Sequence, residues 1–200
     1  ILYGSADCEA QPDAVIVWLS DMPELNTQSR MKIESKSDKI RVRDLVTIDA
    51  SFREEYLQGG HIYFLNTQKL GSDKLLTSTS DGRSITIWQT ITNTAQRQPS
   101  SFYVIIDEAH KGMNVSAQAS NKAQSIMQKF IKGSPEDGLC VMPLVIGLSA
   151  TPQRFEALLS GTDSMVQKVA VPVNDVRESG LLKDRIIIHY PEIELGADMT

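Results

Sequence analysis

Phe102-Tyr103-Val104-Ile105-Ile106-Asp107-Glu108-Ala109-His110 is the stretch from which the rest of the chain is read. Its first five residues are aromatic or aliphatic, an apolar run of strand length with the character of a buried, parallel strand. Asp107 and Glu108 follow where that strand should end. In open α/β sheets ligands bind just beyond the carboxyl ends of the strands. Two adjacent carboxylates there are costly to bury unless a cation or a polar ligand meets them. The residues point to a divalent-metal and water-activating site at the edge of a nucleotide pocket.

Working outward, strand-like and helix-like patterns alternate on both sides. Ala14 to Leu19 is a continuous apolar run and predicts a buried strand. Ser20, Asp21 and Pro23 carry a helix-start signature, with Ser or Asp as cap. The helix is expected from Glu24 to about Lys36, with Leu25, Met31 and Ile33 facing inward. Ile40 to Val46 predicts a more exposed strand, Ser51 to Leu57 a short helix stopped by Gly59-Gly60, and His61 to Leu65 a third strand. Gly71 to Gly82 reads as loop. Ile85, Trp88, Ile91 and Ala95 recur at three and four residues, an amphipathic helix over Ser84 to Gln96. Past the acidic stretch, Lys111 to Ala119 is expected as loop and Ala123 to Ile131 as helix, with Gly133 closing it. Val141 to Leu148 predicts a buried strand, Phe155 to Leu159 a short helix, Val166 to Val173 a strand, Asp175 to Gly180 a helical turn and Arg185 to Tyr190 a last strand. The alternation predicts an α/β fold, a doubly wound and mainly parallel sheet flanked by helices.

The 200 residues are enough for one good core, so a single domain over 1–200 is expected. A hydrophobic content of 41% and a charged content of 22% suit a soluble globular protein, and no apolar run is long enough to span a bilayer. A net charge of −5 argues against a broadly basic nucleic-acid coat but leaves room for a narrow binding face. No signal peptide is visible, and numbering that begins at Ile1 suggests a piece of something longer. Cys8 and Cys140 make neither a disulfide framework nor a metal knuckle, as in a cytoplasmic protein with reduced thiols. His61, His110 and His189 are isolated, which argues against a catalytic zinc.

Asp107-Glu108-Ala109-His110 resembles the motif II box of DEAD/DEAH-type ATPases. About forty residues on, Ile146-Gly147-Leu148-Ser149-Ala150-Thr151-Pro152-Gln153-Arg154-Phe155 resembles motif III of superfamily 2 helicases. Val17 to Gln28 (Val-Trp-Leu-Ser-Asp-Met-Pro-Glu-Leu-Asn-Thr-Gln) is similar to motif Ia of the type III restriction enzyme res-subunit family. Tyr63 to Leu70 is similar to that family's next block. Ile87 to Ile91, Asp107 to Met113 and Arg177 to Asp184 complete a collinear series. The chain is identified as resembling the first RecA-like motor domain of that family.

The resemblance implies ATP and Mg²⁺ as cofactors, and DNA as the track. A methyltransferase (modification) subunit is a candidate partner, and no membrane is implied. Asp107 would hold the metal, mostly through water, and Glu108 would polarise the water that attacks the γ-phosphate. His110 would bond toward motif III or the partner motor domain; the other reading is a structural His near a strand end. Ser149 and Thr151 would couple nucleotide state to nucleic-acid grip, while one of them can also cap the helix at Pro152. Ser20, Asn66, Thr67 and Gln68 lie where the family's backbone-contacting loops sit, and small hydroxyls and amides suit phosphate oxygens. Helix capping by Ser20 and an Asx turn at Asn66 are the alternatives.

The 200 residues contain no G-x-x-x-x-G-K-[ST], the loop that cradles triphosphates. By the resemblance it should precede Ile1, and the second motor domain should follow Thr200. The expected activity is that of an ATP-dependent helicase or translocase in the parent protein, with this stretch alone inactive. A non-hydrolysing nucleic-acid-binding or interaction module is the competing reading.

Overall fold

The central strand is the apolar run before Ser20. β1, Val15–Ser20, has every residue but Trp18 buried, with Val15, Val17 and Leu19 fully so. Full burial of such side chains contributes about 1.5–3 kcal/mol each, before the entropy of ordering them is subtracted. In the computed structural model of the chain, residues 1–6, 8–80, 82–107, 117–149, 159 and 165–178 are described, with the backbone alone for 117–124. The chain divides into two units, Ile1–Thr162 and Asp163–Thr200.

In the first unit β1 is followed by α1 (Pro23–Lys36), β2 (Leu45–Thr47), β3 (Ile62–Asn66), α2 (Ile87–Arg97), β4 (Phe102–Asp107), α3 (Ala117–Lys132) and β5 (Val145–Leu148). The sheet order is β2-β3-β1-β4-β5, and every pairing is parallel. Alternate residues face opposite ways, as the strand pleat requires. Val15, Val17, Leu19, Tyr63, Leu65, Phe102, Val104 and Ile106 form one core with Trp88 and Ile91 of α2 and Met127 and Phe130 of α3. The rings of Trp88 and Phe130 meet edge-on, 5.6 Å apart. Ile16, Phe64, Trp18 and Ile105 build the second face with Ile33 of α1. Helices therefore cover both faces, the doubly wound arrangement the sequence predicts.

Several elements depart from expectation. The cap of α1 is Met22, without a side-chain bond, and Ser20 instead donates its hydroxyl to the Met22 carbonyl. α1 turns Asn26 inward and leaves Met31 62% exposed, while Ile33 packs against the sheet as expected and Leu25 is half-buried. Ile40 to Asp44 is not strand: a 3₁₀ turn, Val42–Asp44, occupies it, with Asp44 accepting from the Arg41 amide, and only Leu45–Thr47 pairs. Ser51 to Leu57 forms no helix. There the Asp49 carboxylate takes the Ser51 amide and hydroxyl, the Arg53 guanidinium donates to the Ala50 and Gly82 carbonyls, and the Leu57 amide goes to Thr94 Oγ1. Such bonds compete with a helical ladder. α2 starts at Ile87, two residues after the apolar pattern, because Thr86 and Gln89 close a capping box. α3 begins at Ala117, inside the expected loop, and ends at Lys132, with Gly133 following at a φ of +77° that suits the residue. β5 is shorter than expected, starting at Val145 after Pro143, and it is not the buried strand expected, for Val145 and Ile146 are half-buried and Leu148 is exposed.

In the second unit 165–172 has no regular structure, and a six-residue helix, Val173–Glu178, follows. The strand expected over Val166–Val173 does not form. Its valines are exposed and gain no ladder, and Pro172 offers no amide. The expected helix Phe155–Leu159 and strand Arg185–Tyr190 lie outside the described residues, Leu159 apart.

Candidate functional site

Parallel register sets the site. Ser20 pairs with Asn66, Leu19 with Ile106, and Asp107 with Leu148. The row at the carboxyl edge of the sheet therefore reads Asn66, Ser20, Asp107, Leu148, on β3, β1, β4 and β5. Four segments separated by long stretches of chain come together in one line, at the edge where α/β sheets take ligands.

Asp107 is half-buried on the α1 side of the sheet. Its Oδ2 accepts from the Trp18 indole Nε1–H at 3.3 Å and from the Ser29 hydroxyl at 3.4 Å. Both donors are neutral, so they orient the carboxylate without cancelling its charge, and no described residue meets Oδ1. Neither donor stood out in the sequence. The available signal was an indole in an otherwise aliphatic strand, because a Trp N–H in such a place needs a partner.

The loops after β1 and β3 are stapled together. Thr67 donates its hydroxyl to Asp21 Oδ1 at 2.7 Å, and Gln68 Nε2 donates to the Asp21 carbonyl at 3.1 Å. Asn66 caps the turn by accepting the Gln68 amide at 2.9 Å, the Asx geometry, and Lys69 Nζ reaches the Ile48 carbonyl. Ser20, Asn66 and Thr67 are buried, with their hydrogen bonds inside the loops, whereas Gln68 is exposed. The first three build the loops, and Gln68 is the member of the set that reaches solvent. Asp21 is the residue of this pair of loops that sequence reasoning left as a possible cap.

Ser149 follows β5 directly and is half-buried. Glu108, His110 and Thr151 lie outside the described residues. Among the described residues no group of three His, Cys, Asp or Glu side chains forms a metal cluster, and no helix is long and apolar enough to cross a membrane.

A five-stranded, all-parallel sheet wrapped by helices on both faces, with its acidic residue at the carboxyl end of a strand beside the centre, is a RecA-like α/β fold. The model of one family, type III restriction enzyme, res subunit, matches residues 10–154, and the chain belongs to that family. It is a family of helicase-like, ATP-hydrolysing motors. Comparison with curated proteins and with solved structures gave no match.

Proposed function

We propose that this chain is the part of a first RecA-like motor domain that carries the acidic box and the track-contacting loops of an ATP-dependent DNA translocase of a type III restriction-like system. The observation that carries the reading is the single row of Asn66, Ser20, Asp107 and Leu148 at the carboxyl edge. It brings one acidic residue and two stapled loops to the same rim, as coupling ATP turnover to grip on DNA requires.

Asp107 fits a magnesium–nucleotide complex. Magnesium keeps several waters and takes one or two carboxylates together with phosphate oxygens, so one carboxylate that no described residue meets at Oδ1 is a suitable protein contribution. When bound, the ion neutralises charge on the phosphates. Trp18 and Ser29 hold Asp107 with Oδ1 turned away from their own donors. Glu108 orients the attacking water and takes its proton, and His110, Ser149 and Thr151 relay the state of the site toward the loops. The exposed Gln68 touches DNA phosphates, while Ser20, Asn66 and Thr67 fix the turn's shape. The triphosphate cradle and the second motor domain come from adjoining sequence, since no P-loop motif lies in these residues. A modification methyltransferase is the partner such a motor would serve.

Calorimetry with Mg²⁺ and a non-hydrolysable ATP analogue tests the proposal, on this chain and on one extended by the parent protein's preceding residues. The extended chain should bind, Asp107→Ala should weaken it, and Glu108→Gln should keep binding while losing turnover. DNA binding without nucleotide binding in either chain would overturn the motor reading in favour of a non-hydrolysing module.

A further inference from the structure

Among the described residues Arg83 is the one charged side chain that is buried, at 4% exposure. A charge taken out of water calls for an opposite charge, yet no described carboxylate pairs with it. Its Nη2 donates to the Ala50 carbonyl at 2.8 Å, and Arg53 Nη1 donates to the same oxygen at 2.6 Å. Two guanidinium groups therefore converge on one carbonyl. Burial first, and the Arg53 charge second, hold the Arg83 pKa below the usual arginine value, with no described acid to offset them. Like charges brought together in this way call for an anion between them.

The pair is held in place. Arg53 Nε donates to the Gly82 carbonyl, and Ser80 and Arg83 exchange backbone bonds, so the turn before α2 is fixed against the loop after β2. Donors are left over on both forks. Arg83 Nε and Nη1 have no partner among the described residues, and they are not among the unpaired polar atoms shut off from solvent, as Arg30 Nε is. Arg53 is exposed, and its Nη2 is uncommitted among the described residues. Arg53, Ser84, Gln89 and Asn93 line an open cavity of about 550 Å³, with Glu55 on its wall. Planar, weakly hydrated guanidinium forks match the several oxygens of a phosphate.

The pair adjoins the turn that carries Gln68. Lys69 of that turn donates to the Ile48 carbonyl at 2.9 Å. The Asp49 carboxyl is held below its usual value first by Ser51 and then by the charges of Lys69 and Arg53, so both cations lie within reach of it. Asp49 itself is committed to the Ser51 amide and hydroxyl. Lys69, Arg53 and Arg83 thus make one basic strip running on from Gln68. We infer that Arg83 and Arg53 bind a backbone phosphate of the nucleic-acid strand. The inference rests on the nucleic-acid reading of the Gln68 turn, and that turn's closeness favours a strand over a free phosphate or an acidic peptide. The strip supplies the narrow basic face that a chain of net charge −5 needs for such a ligand.

The test is fluorescence anisotropy of a labelled oligothymidylate across a range of salt, on the 200-residue chain and on Arg83→Met. Losing one phosphate contact should make the slope of log affinity against log salt shallower by about 0.7 and weaken binding about tenfold. Arg53 still satisfies the Ala50 carbonyl in Arg83→Met, so removing the unpaired charge should not lower the melting temperature. Inorganic phosphate should raise the melting temperature of the unaltered chain more than that of the variant. Equal slopes and equal phosphate shifts overturn the site and leave the nucleic-acid reading standing. A phosphate shift lost in Arg83→Met without a change of slope overturns the strand as the source and leaves a site for free phosphate. Displacement of the oligothymidylate by hexaglutamate as readily as by unlabelled DNA overturns the phosphate in favour of a carboxylate. An unaltered chain that binds no oligothymidylate overturns both readings. A lower melt with an unchanged slope marks a structural clamp and overturns the proposal. So does a lower melt in Asp81→Asn, which would give Arg83 its counter-charge. Should Arg83→Met fail to fold by circular dichroism, Arg53→Met, at the exposed member of the pair, must give the shallower slope, and an unchanged slope there overturns the proposal.

Discussion

Replacing Trp18 with Phe removes one of the two hydrogen bonds that steady Asp107, the one given by the sheet itself, and leaves that from Ser29 of α1. The indole Nε1–H to Oδ2 distance is 3.3 Å, and both residues are half-buried. A hydrogen bond to a charged group contributes about 1.5–3 kcal/mol, and the length of this one places it at the lower end. The smaller ring also gives up part of the tilted contact with Phe64, whose centroid lies 6.2 Å away, for about 1 kcal/mol more. The expected loss for Trp18→Phe is therefore about 2.5 kcal/mol. Packing and hydrogen bonding separate in a double-mutant cycle with Asp107→Ala, where only the mutual term survives. Urea unfolding followed by far-ultraviolet circular dichroism should give a coupling of about 1.5 kcal/mol. A coupling below about 0.5 kcal/mol would refute the claim that the indole holds the carboxylate. It would leave Trp18 as a packing residue only.

Three further outcomes follow from local geometry. Thr86→Ala opens the capping box in which Thr86 Oγ1 accepts the Gln89 amide and Gln89 Oε1 accepts the Thr86 amide, and should cost about 1 kcal/mol in urea unfolding, with Thr86→Asp close to the parent. Thr94→Val keeps the volume but strands the buried Leu57 amide, now 2.9 Å from Thr94 Oγ1. Thermal unfolding should show a loss of about 1–3 kcal/mol, and unchanged stability would refute the bond's importance. Burial pushes the Asp137 carboxyl up, but hydrogen bonds from Lys129 and Ser134 outweigh it and hold the group below the usual 3.8. A depressed carboxylate stabilises the fold above its unfolded value and loses that contribution as pH falls through its folded value. Asp137→Asn should therefore be less stable than the parent at neutral pH, and the gap should close in the range below 3.8.

What the sequence disclosed depended on how far apart the cooperating residues lie. β1, β3 and β4 were legible because parallel strands buried on both faces read as continuous apolar runs. The inner faces of α2 and α3 follow from spacing alone, through Trp88, Ile91, Met127 and Phe130. α1 misled in part because its inward stripe mixes Ile33 with polar residues. Asn26 and Ser29 make specific bonds to β3 and β4, and Met31 is left outside. Ser51 to Leu57 misled because its amides and carbonyls are claimed by Asp49, Arg53, Thr90 and Thr94 rather than by their own helix. Asp107 and the loops after β1 and β3 were visible as motifs. Their mutual arrangement was not: Trp18 and Asp107 are 89 residues apart, Asp21 and Thr67 46 apart, and only strand order and register bring them together. Burial also redistributed roles across two motifs, leaving Gln68 at the surface and Ser20, Asn66 and Thr67 buried.

The most direct measurement of the central claim, that Asp107 is the metal-facing carboxylate of a nucleotide site, uses the indole beside it. The chain has two tryptophans, so ¹⁵N labelling gives two indole signals. Trp18 donates to Asp107, while Trp88 is 1% exposed in the core on the opposite face of the sheet. Paramagnetic Mn²⁺ added with an ATP analogue to the chain extended by the parent protein's preceding residues should broaden the Trp18 indole resonance, spare that of Trp88, and lose its effect in Asp107→Asn. A Trp18 signal that stays sharp in the extended chain, or broadens equally in Asp107→Asn, would contradict the account.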